Sequence, residues 1–254
     1  MKKEAKTFFH WRVETYDTLA STSDLCRARA ADGEAEGLAV IARSQLGGRG
    51  SYGRGWDSPE GNLYISVLLR PDGTPRDGGL WSLLAALALA EAVETFLPAP
   101  SSLRLKWPND LLLNGKKLAG ILLDSTADAG GRITSLVIGI GLNIAHAPQI
   151  PGRATACLAD AGPPPTPAQA ATALLARLDH WREIATSNFA PIREACLRLM
   201  QPIGSPIAFR QGTHDMIGTF AGLGERGALR LHAGGALHEF AAGEVRLLKG
   251  ETLC

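Results

Sequence analysis

A glycine-rich segment at residues 47–56 concentrates residue types that bind anions. It reads GGRGSYGRGW and holds five glycines, two arginines and a closing tryptophan. Arg49 and Arg54 carry planar guanidinium groups, whose paired donors match carboxylate and phosphate oxygens. Glycine lets a backbone approach a ligand closely, and Trp56 offers an apolar or stacking wall. These residues predict a mobile clamp for an anionic ligand, disordered when empty and ordered when filled.

Two other interpretations of this segment must be weighed. It is also typical of a flexible surface connection that binds nothing. In addition, Gly48, Gly50 and Gly53 match the G-x-G-x-x-G fingerprint of dinucleotide-binding folds, which requires a helix directly afterwards. The residues that follow are RGWDSPEGN, with a proline and further glycines. Because this context does not suit a helix, we reject the dinucleotide interpretation.

A second cationic segment, KWPNDLLLNGKKLAG at residues 106–120, favours the clamp. Its charged and amide side chains surround one predicted hairpin: Lys106, Asn109, Asp110, Lys116 and Lys117. Since side chains alternate along a strand, Lys116 and Lys117 must point to opposite faces, so one can enter a site while the other meets solvent. Two solvated turn lysines are the alternative. The G-x-x-x-x-G-K-[ST] pattern of a P-loop is absent.

The elements around both segments predict an α+β fold with a mixed β-sheet flanked by helices. Asn114-Gly115 joins two apolar runs at 111–124, as in type I′ hairpins. Thr166, Pro167 and Gln169 predict a capped helix start. The other predicted strands are 38–43, 62–70, 103–107 and 133–144, and the predicted helices are 23–31, 80–97 (ended by Pro98 and Pro100), 168–185 and 190–200.

The composition changes at QPIGSPI, residues 201–207. Beyond it, short β-like runs alternate with glycine turns, which predicts a small β-barrel of about 50 residues. We therefore expect a catalytic domain at 1–200 and a C-terminal barrel domain at 203–254.

The charged-residue counts and the apolar segments of the chain limit which kinds of partner it can bind. The 254 residues carry 26 Lys+Arg against 25 Asp+Glu, a net charge of +1. This balance argues against broad binding to nucleic acid or to an anionic membrane surface. The apolar run at 80–90 is shorter than the roughly 20 residues that a membrane-spanning helix needs, and the N-terminus lacks a signal-peptide core. We expect a cytoplasmic protein that binds neither nucleic acid nor membrane.

The cysteines do not suggest a metal site. Cys26, Cys157, Cys196 and Cys254 form no C-x-x-C pair and have no zinc-site spacing. Cys26 and Cys196 fall in helical patterns, so we expect them to be buried, reduced thiols.

Together the segments resemble the motifs of biotin protein ligases, in a form without an N-terminal DNA-binding domain. The matching stretches follow the family's order and separations: STS at 21–23, SQLGGRGSYGRGWDSPEGNLYISVLLRP at 44–71, KWPNDLLLNGKKLAGILLD at 106–124 and VIGIGLNI at 137–144. The resemblance implies a mixed sheet with helices on one side, similar to class II aminoacyl-tRNA synthetase cores, and a C-terminal SH3-like β-barrel. It implies ATP-dependent activation of biotin as biotinyl-5′-AMP, with release of pyrophosphate. The biotinyl group then passes to a lysine of a biotin carboxyl carrier protein, a subunit of acetyl-CoA carboxylase or a related carboxylase.

The resemblance also implies a role for each matching residue. Lys117 and Arg49 are the expected catalytic cations, placed where the biotin carboxylate must approach the phosphates of ATP despite their like charge. The expected biotin-binding residues are Ser21, Thr22, Ser23, Gln45, Arg49, Gly50, Ser51 and Lys117. The expected ATP-binding residues are Arg49, Arg54, Trp56, Lys106, Asn109, Asp110 and Asn143. Asn143 also suits a plain turn or strand end. ATP implies Mg²⁺, whose ligands the motifs leave unknown, with Asp110 as the best candidate.

Two positions depart from the family's usual motifs. Ser23 stands where asparagine is frequent, and it is polar but shorter. Ser51 stands where a second arginine is frequent in the glycine-rich loop. We hypothesise that the missing cation weakens retention of biotinyl-AMP, because one fewer positive charge faces the adenylate.

Three other functions compete with biotin ligation. A lipoate-protein ligase shares the fold and the acyl-adenylate chemistry, but the residues of the GRGSYGRGW, KWPND and KKLAGIL motifs favour biotin. A non-catalytic binder would hold a small molecule without releasing pyrophosphate. A DNA-binding repressor is disfavoured, because about twenty residues before the first motif are too few for a helix-turn-helix module. A homodimer is left open, since no face is identifiable from the sequence as an interface.

Overall fold

The computed structural model describes residues 11–98, 102–150 and 152–248 of the chain. Pro100, Cys254 and the outer ends of both predicted domains lie outside the described residues. Within the described part, Cys26 and Cys196 are buried and free, as predicted, and Cys157 is buried as well. Every helix of this part is too short or too polar to cross a membrane.

A mixed seven-stranded sheet forms the frame of the described chain. Along it the strands lie in the order β1-β2-β3-β7-β6-β5-β4. Strands β1 and β2 pair in parallel, and the other neighbouring strands pair antiparallel. The mixed sheet that the sequence predicted is therefore confirmed. The strands are β1 (Arg12–Leu19), β2 (Leu38–Gln45), β3 (Leu63–Leu69), β4 (Leu103–Lys106), β5 (Asp110–Leu113), β6 (Lys116–Ala127) and β7 (Ile133–Leu142).

The first strand and its crossover helix explain the parallel pair. Helix α1 (Thr22–Ala31) links β1 to β2, and Ser21 caps it by accepting a hydrogen bond from the Asp24 N–H at 3.4 Å. Sequence reasoning did not predict β1. Its residues RVETYDTL sit at the sheet edge and are mostly exposed, so they lack the apolar alternation that marks a half-buried strand.

Helices cover both faces of the sheet, which corrects the expectation of helices on one side. The second helix, α2 (Gly78–Glu94), is apolar on nearly every side and buried, and it packs with α3 (Pro167–Ala185) and α4 (Ala190–Leu199). Along β3, Val67 and Leu69 join this large core, whereas Leu68 packs into a separate cluster beneath α1. Because side chains alternate along a strand, the two clusters lie on opposite faces. We call the face beneath α1 the α1 face.

A second, five-stranded antiparallel sheet follows the helices, in the order β11-β10-β9-β8-β12. Within the described residues β11 and β12 do not pair, so this sheet is open, and closure into the predicted barrel is not seen. Trp107 ties it to the first sheet by donating Nε1–H to the Gly227 carbonyl at 3.0 Å. The strands are β8 (Pro206–Gln211), β9 (His214–Leu223), β10 (Leu229–Ala233), β11 (Ala236–Phe240) and β12 (Glu244–Leu247).

Two local predictions are confirmed. Asn114 and Gly115 have φ values of 50° and 77°, the left-handed conformation that a two-residue type I′ turn between β5 and β6 requires. At the start of α3, Thr166 and Gln169 form the reciprocal capping box, with Thr166 Oγ1 accepting from the Gln169 N–H at 3.2 Å.

Candidate functional site

A cavity opens on the α1 face, where glycines leave the sheet without side chains. A Cβ added at Gly139 would lie 2.4 Å from Ser23 Oγ, and one at Gly141 would lie 2.6 Å from the Trp56 ring. Such distances are far below ordinary contact. Ser23 and Trp56 can therefore lie this close to β7 only because positions 139 and 141 are glycine. The cavity measures about 460 Å³ with its open mouth included. We call it the first cavity.

The first cavity brings together all eight residues expected to bind biotin. They come from four segments that are remote in sequence: the start of α1, the end of β2, the glycine-rich loop and the start of β6. Trp56 and Asn109 line the same space. The eight residues are Ser21, Thr22, Ser23, Gln45, Arg49, Gly50, Ser51 and Lys117.

One end of the first cavity is polar but uncharged. Ser21, Thr22 and Ser23 stand at the N-terminus of α1 and are buried. The Gln45 Oε1 atom accepts hydrogen bonds from the Thr22 backbone N–H at 2.8 Å and from its hydroxyl at 3.2 Å. The amide of Gln45 therefore locks the end of β2 to the first turn of α1.

The glycine-rich loop folds into a closed hairpin over the cavity. The Gly50 N–H donates to the Arg54 carbonyl at 2.7 Å, and the Trp56 N–H donates to the Gly48 carbonyl at 2.8 Å. Strand β3 follows the loop, with no helix between them, which agrees with rejecting the dinucleotide interpretation. The Trp56 ring lies against Gly141, and Lys117 Nζ is 5.4 Å from its centroid. The Trp56 ring thus covers Gly141 on the sheet side of the cavity, and we call this ring the lid.

Arg49 is held by two carboxylates from segments remote in sequence, Asp24 on α1 and Asp124 on β6. Its Nη1 lies 2.7 Å from Asp24 Oδ1 and 3.3 Å from Asp124 Oδ2. The hydrogen bond to Asp24 raises the pKa of Arg49. Burial acts to raise the pKa of Asp24, but the bonds from Arg49 and Arg27 outweigh it and hold that pKa below its usual value. The guanidinium is therefore fixed in place, with its charge largely balanced.

A buried carboxylate joins two of the lysines expected to act in the site. Asp110 is 8% exposed, and it pairs with Lys106 Nζ at 2.7 Å and, more closely still, with Lys117 Nζ. Burial acts to raise the pKa of Asp110, but the two lysines outweigh it and lower that pKa. Burial also lowers the pKa of Lys117, and Asp110 partly offsets this effect. Lys116, by contrast, is exposed, so the predicted alternation of the two turn lysines is confirmed.

The backbone of Lys117 is clamped as well as its side chain. Its N–H donates to the Ala154 carbonyl at 2.8 Å, and its carbonyl accepts from the Ala156 N–H at 2.9 Å. The segment around 154–156 therefore fixes the start of β6, from which the ammonium group reaches the cavity.

A second, larger cavity lies between the 106–110 segment, the glycine-rich loop and the five-stranded sheet. It measures about 2290 Å³ with open solvent included. Arg54 reaches across it to Glu244 on β12 at 2.5 Å, and Arg153 lies 3.7 Å from the same carboxylate. The two cavities adjoin, because five residues line both of them: Gly50, Ser51, Trp56, Asn109 and Lys117.

Six of the seven residues expected to bind ATP line one or both cavities. Arg49 lines the first, Arg54, Lys106 and Asp110 line the second, and Trp56 and Asn109 line both.

Asn143 lies apart, because it lines neither cavity. It is buried after the end of β7 and donates Nδ2–H to the Ala156 carbonyl at 3.0 Å. In this structure it anchors the segment that clamps Lys117.

Sequence reasoning missed several residues that hold the site together. Asp24 and Asp124 pair with Arg49, Glu244 pairs with Arg54, and Ser58 accepts from Gln45 Nε2 at 3.0 Å. Ser66 contacts the hydroxyls at the start of α1. The sequence carried a signal for Ser66, because it is a polar residue inside the apolar run NLYISVLL.

The described residues offer no protein cage for a metal ion. Within ranges 11–98, 102–150 and 152–248, no group of three or more His, Cys, Asp or Glu side chains could hold one. Asp110, the candidate Mg²⁺ ligand, has one oxygen paired with Lys117 and the other with Lys106. This environment suits a structural carboxylate and does not fit a metal ligand.

Comparison with known proteins places this geometry in context. The model of the biotin/lipoate A/B protein ligase family matches residues 19–143. The chain is 37% identical over 213 residues to the biotin–[acetyl-CoA-carboxylase] ligase of Paracoccus denitrificans, covering 81% of this chain and 88% of that protein. It aligns with the biotin protein ligase from Aquifex aeolicus in complex with biotin and ATP at a TM-score of 0.77 and 26% identity, covering 94% and 99% of the two chains. The Leishmania major biotin protein ligase in complex with biotinyl-5-AMP aligns at a TM-score of 0.62 and 27% identity, covering 91% and 99%.

Proposed function

Because the chain belongs to the biotin protein ligase family, we propose that it is an ATP-dependent ligase. It activates biotin as biotinyl-5′-AMP and transfers the biotinyl group to a lysine of a biotin carboxyl carrier protein. One observation carries this proposal: Arg49 and Lys117 are 68 positions apart in the chain and line the same cavity.

The polarity of the first cavity supports biotin as the acid. Biotin has a neutral, polar ureido ring at one end and a carboxylate at the other. The hydroxyl and amide groups of Ser21, Thr22, Ser23 and Gln45 suit the ring, because a site that hydrogen-bonds its substrate rejects analogues without the partner atoms. The cationic groups of Arg49 and Lys117 suit the carboxylate.

The second cavity supports ATP as the other substrate. Lys106 and Arg54 line it, and Lys117 lines both cavities, where the biotin carboxylate would meet the α-phosphate. A carboxylate oxygen attacks the α-phosphorus, and the bond to pyrophosphate breaks. The amine of the carrier lysine then attacks the acyl carbon and AMP leaves. Cations fixed at this junction lower both barriers, since they meet developing negative charge without having to reorganise.

We propose that residues 1–200 form the catalytic domain and 203–254 an SH3-like barrel domain, because β8 begins at Pro206 after α4 ends at Leu199. Mg²⁺ would enter with the phosphates of ATP, since Asp110 is committed to its two lysines. We also propose a cytoplasmic enzyme that binds no nucleic acid. A homodimer stays open as a prediction.

The test is an incubation with MgATP, a biotin carboxyl carrier domain and either biotin or lipoate. We expect pyrophosphate release and a biotinylated carrier in the mass spectrum, with neither product from lipoate. The Lys117→Ala variant is the control for contaminating ligase. Modification with lipoate in preference to biotin would show a lipoate ligase, and ligand binding without pyrophosphate would show a non-catalytic binder.

A further inference from the structure

A serine is buried in the middle of β3, directly beneath the polar end of the first cavity. Ser66 is 0% exposed, and its neighbours in the strand are apolar. Its hydroxyl lies 2.7 Å from the Thr22 hydroxyl and 2.9 Å from the Ser23 hydroxyl. Ser66 does not itself line the cavity, so it can act on a ligand only through these two side chains.

Backbone groups fix the orientation of the Gln45 amide from both sides. The Thr22 backbone N–H can only donate, so the Gln45 atom that it meets at 2.8 Å must be the carbonyl oxygen. At the other side, Ser58 donates its hydroxyl to the Trp56 carbonyl at 2.9 Å and so accepts from Gln45 Nε2. Both contacts give the same amide orientation.

The direction of the three hydroxyls then follows from where Thr22 sends its one hydrogen. Gln45 Oε1 can only accept, so the Thr22 hydrogen is assigned to it at 3.2 Å, whereas in the 2.7 Å contact with Ser66 either oxygen can donate. The Thr22 hydroxyl is then free to accept from the Ser66 hydroxyl, which in turn accepts from the Ser23 hydroxyl. Each hydroxyl has one hydrogen to donate. With this assignment the hydrogens of Thr22 and Ser23 are both used inside the protein, and their lone pairs face the cavity.

We propose that Ser66 is a positioning residue that makes this end of the first cavity an acceptor surface for ligand N–H groups. The inference rests on the proposed function, whose acid carries two ureido N–H donors. The dithiolane ring of lipoate carries none and would leave the acceptors unpaired in a buried place, which is costly. We call the chain of hydroxyls from Ser23 through Ser66 to Thr22 the relay. It thus favours a cyclic urea over a dithiolane ring of similar size.

Removing the Ser66 hydroxyl would remove the constraint on where the Thr22 and Ser23 hydroxyls point. In Ser66→Ala, Ser23 loses its acceptor and can turn its hydrogen into the cavity, where it opposes the ligand N–H. Thr22 loses the donor that fixed the orientation of its lone pairs toward the cavity. We expect biotin to bind about tenfold more weakly, in line with one misdirected buried hydrogen bond. The KM for ATP should stay unchanged, because the second cavity is not touched.

The sharpest test compares ligands that differ in one donor. Calorimetric titration without ATP measures the affinity of wild type, Ser66→Ala and Ser66→Cys for biotin and for its cyclic carbamate, in which oxygen replaces one ureido N–H. Wild type should prefer biotin strongly, Ser66→Ala should lose about tenfold of that preference, and Ser66→Cys should fall between, since a thiol is a weak donor. Ser135→Ala is the matched control, because Ser135 is also buried in the sheet and bonds one hydroxyl, Thr126 Oγ1 at 2.6 Å, away from both cavities.

The outcomes separate the two proposals. An unchanged ratio of biotin to carbamate affinity in Ser66→Ala would overturn the relay, even if both affinities fell through a general loss of stability. If wild type bound no biotin at all, the proposed function would be overturned, and this inference with it.

Discussion

The substitution Asp110→Asn tests whether the buried carboxylate holds Lys106 and Lys117 in place. Asp110 is 8% exposed, whereas Lys106 and Lys117 are 24% and 18% exposed. Breaking a buried ion pair by removing one partner costs about 3–5 kcal/mol. The lower end applies here, because both ammonium groups adjoin the open second cavity and asparagine keeps an acceptor oxygen. With a urea slope of about 2 kcal/mol/M, a loss of about 3 kcal/mol moves the unfolding midpoint down by about 1.5 M.

The same substitution has a signature in pH. The pKa of Asp110 is lowered in the folded protein, so its stabilisation is present above the unfolded pKa of aspartate and is lost as the pH falls through the folded value. The difference in unfolding free energy between wild type and Asp110→Asn should therefore shrink in acid. Without Asp110, burial acts unopposed and lowers the pKa of Lys117 further. As the pH rises, Lys117 should lose its proton earlier in Asp110→Asn than in wild type. Pyrophosphate release should therefore begin to decline at a lower pH in the variant.

Urea unfolding followed by circular dichroism measures the first effect, and pyrophosphate release across pH measures the second. The control is Asp215→Asn, at an exposed ion pair with Arg210 on the rim of the second cavity, where we expect little change. An Asp110→Asn protein with the wild-type urea midpoint, slope and pH profile would refute the reasoning.

Further predictions concern neighbouring positions. In Lys117→Ala, adenylation measured by pyrophosphate release should fall roughly a hundredfold or more while the fold persists, because Asp110 keeps its second lysine; activity within about threefold of wild type would contradict the catalytic role. Ser51→Arg should slow the release of biotinyl-AMP, followed by rapid filtration, and equal release rates would remove that hypothesis. Gly141→Ala would place a Cβ 2.6 Å from the Trp56 ring, so the indole must move, which raises the KM for biotin and shifts tryptophan fluorescence; an unchanged spectrum and KM would show that Trp56 is not the lid.

Local features were the ones that sequence reasoning predicted well. The Asn114-Gly115 turn and the capping box of α3 depend on residues within a few positions of each other, so their conformations are set almost independently of the rest of the fold. That the residues of the glycine-rich loop lie together as a hairpin depends on the same short range, whereas its binding of an anion stays a prediction. Strand β1 was missed because an exposed edge strand does not need apolar alternation, and its place is set by pairing with β2.

The partners of the candidate site residues could not be predicted in the same way. Arg49 meets Asp24, 25 positions away, and Asp124, 75 positions away, because the sheet order brings α1 and β6 to the same rim. Nothing in the local sequence distinguishes these two carboxylates from the other acidic residues. Likewise, Glu244 meets Arg54 only through the packing of the five-stranded sheet beside the first.

The sequence by itself determined which chemistry is available: guanidinium and ammonium groups for an acid and a nucleotide, hydroxyls and an amide for a polar ring, and glycines that allow close approach. These are properties of residue types and short spacings, which the chain carries in any conformation. The tertiary structure decided which lysine enters the cavity, which carboxylates balance the cations and which hydroxyls meet Ser66. Those outcomes depend on distances and burial between segments far apart in the chain, and the strength of each ion pair or hydrogen bond depends on both.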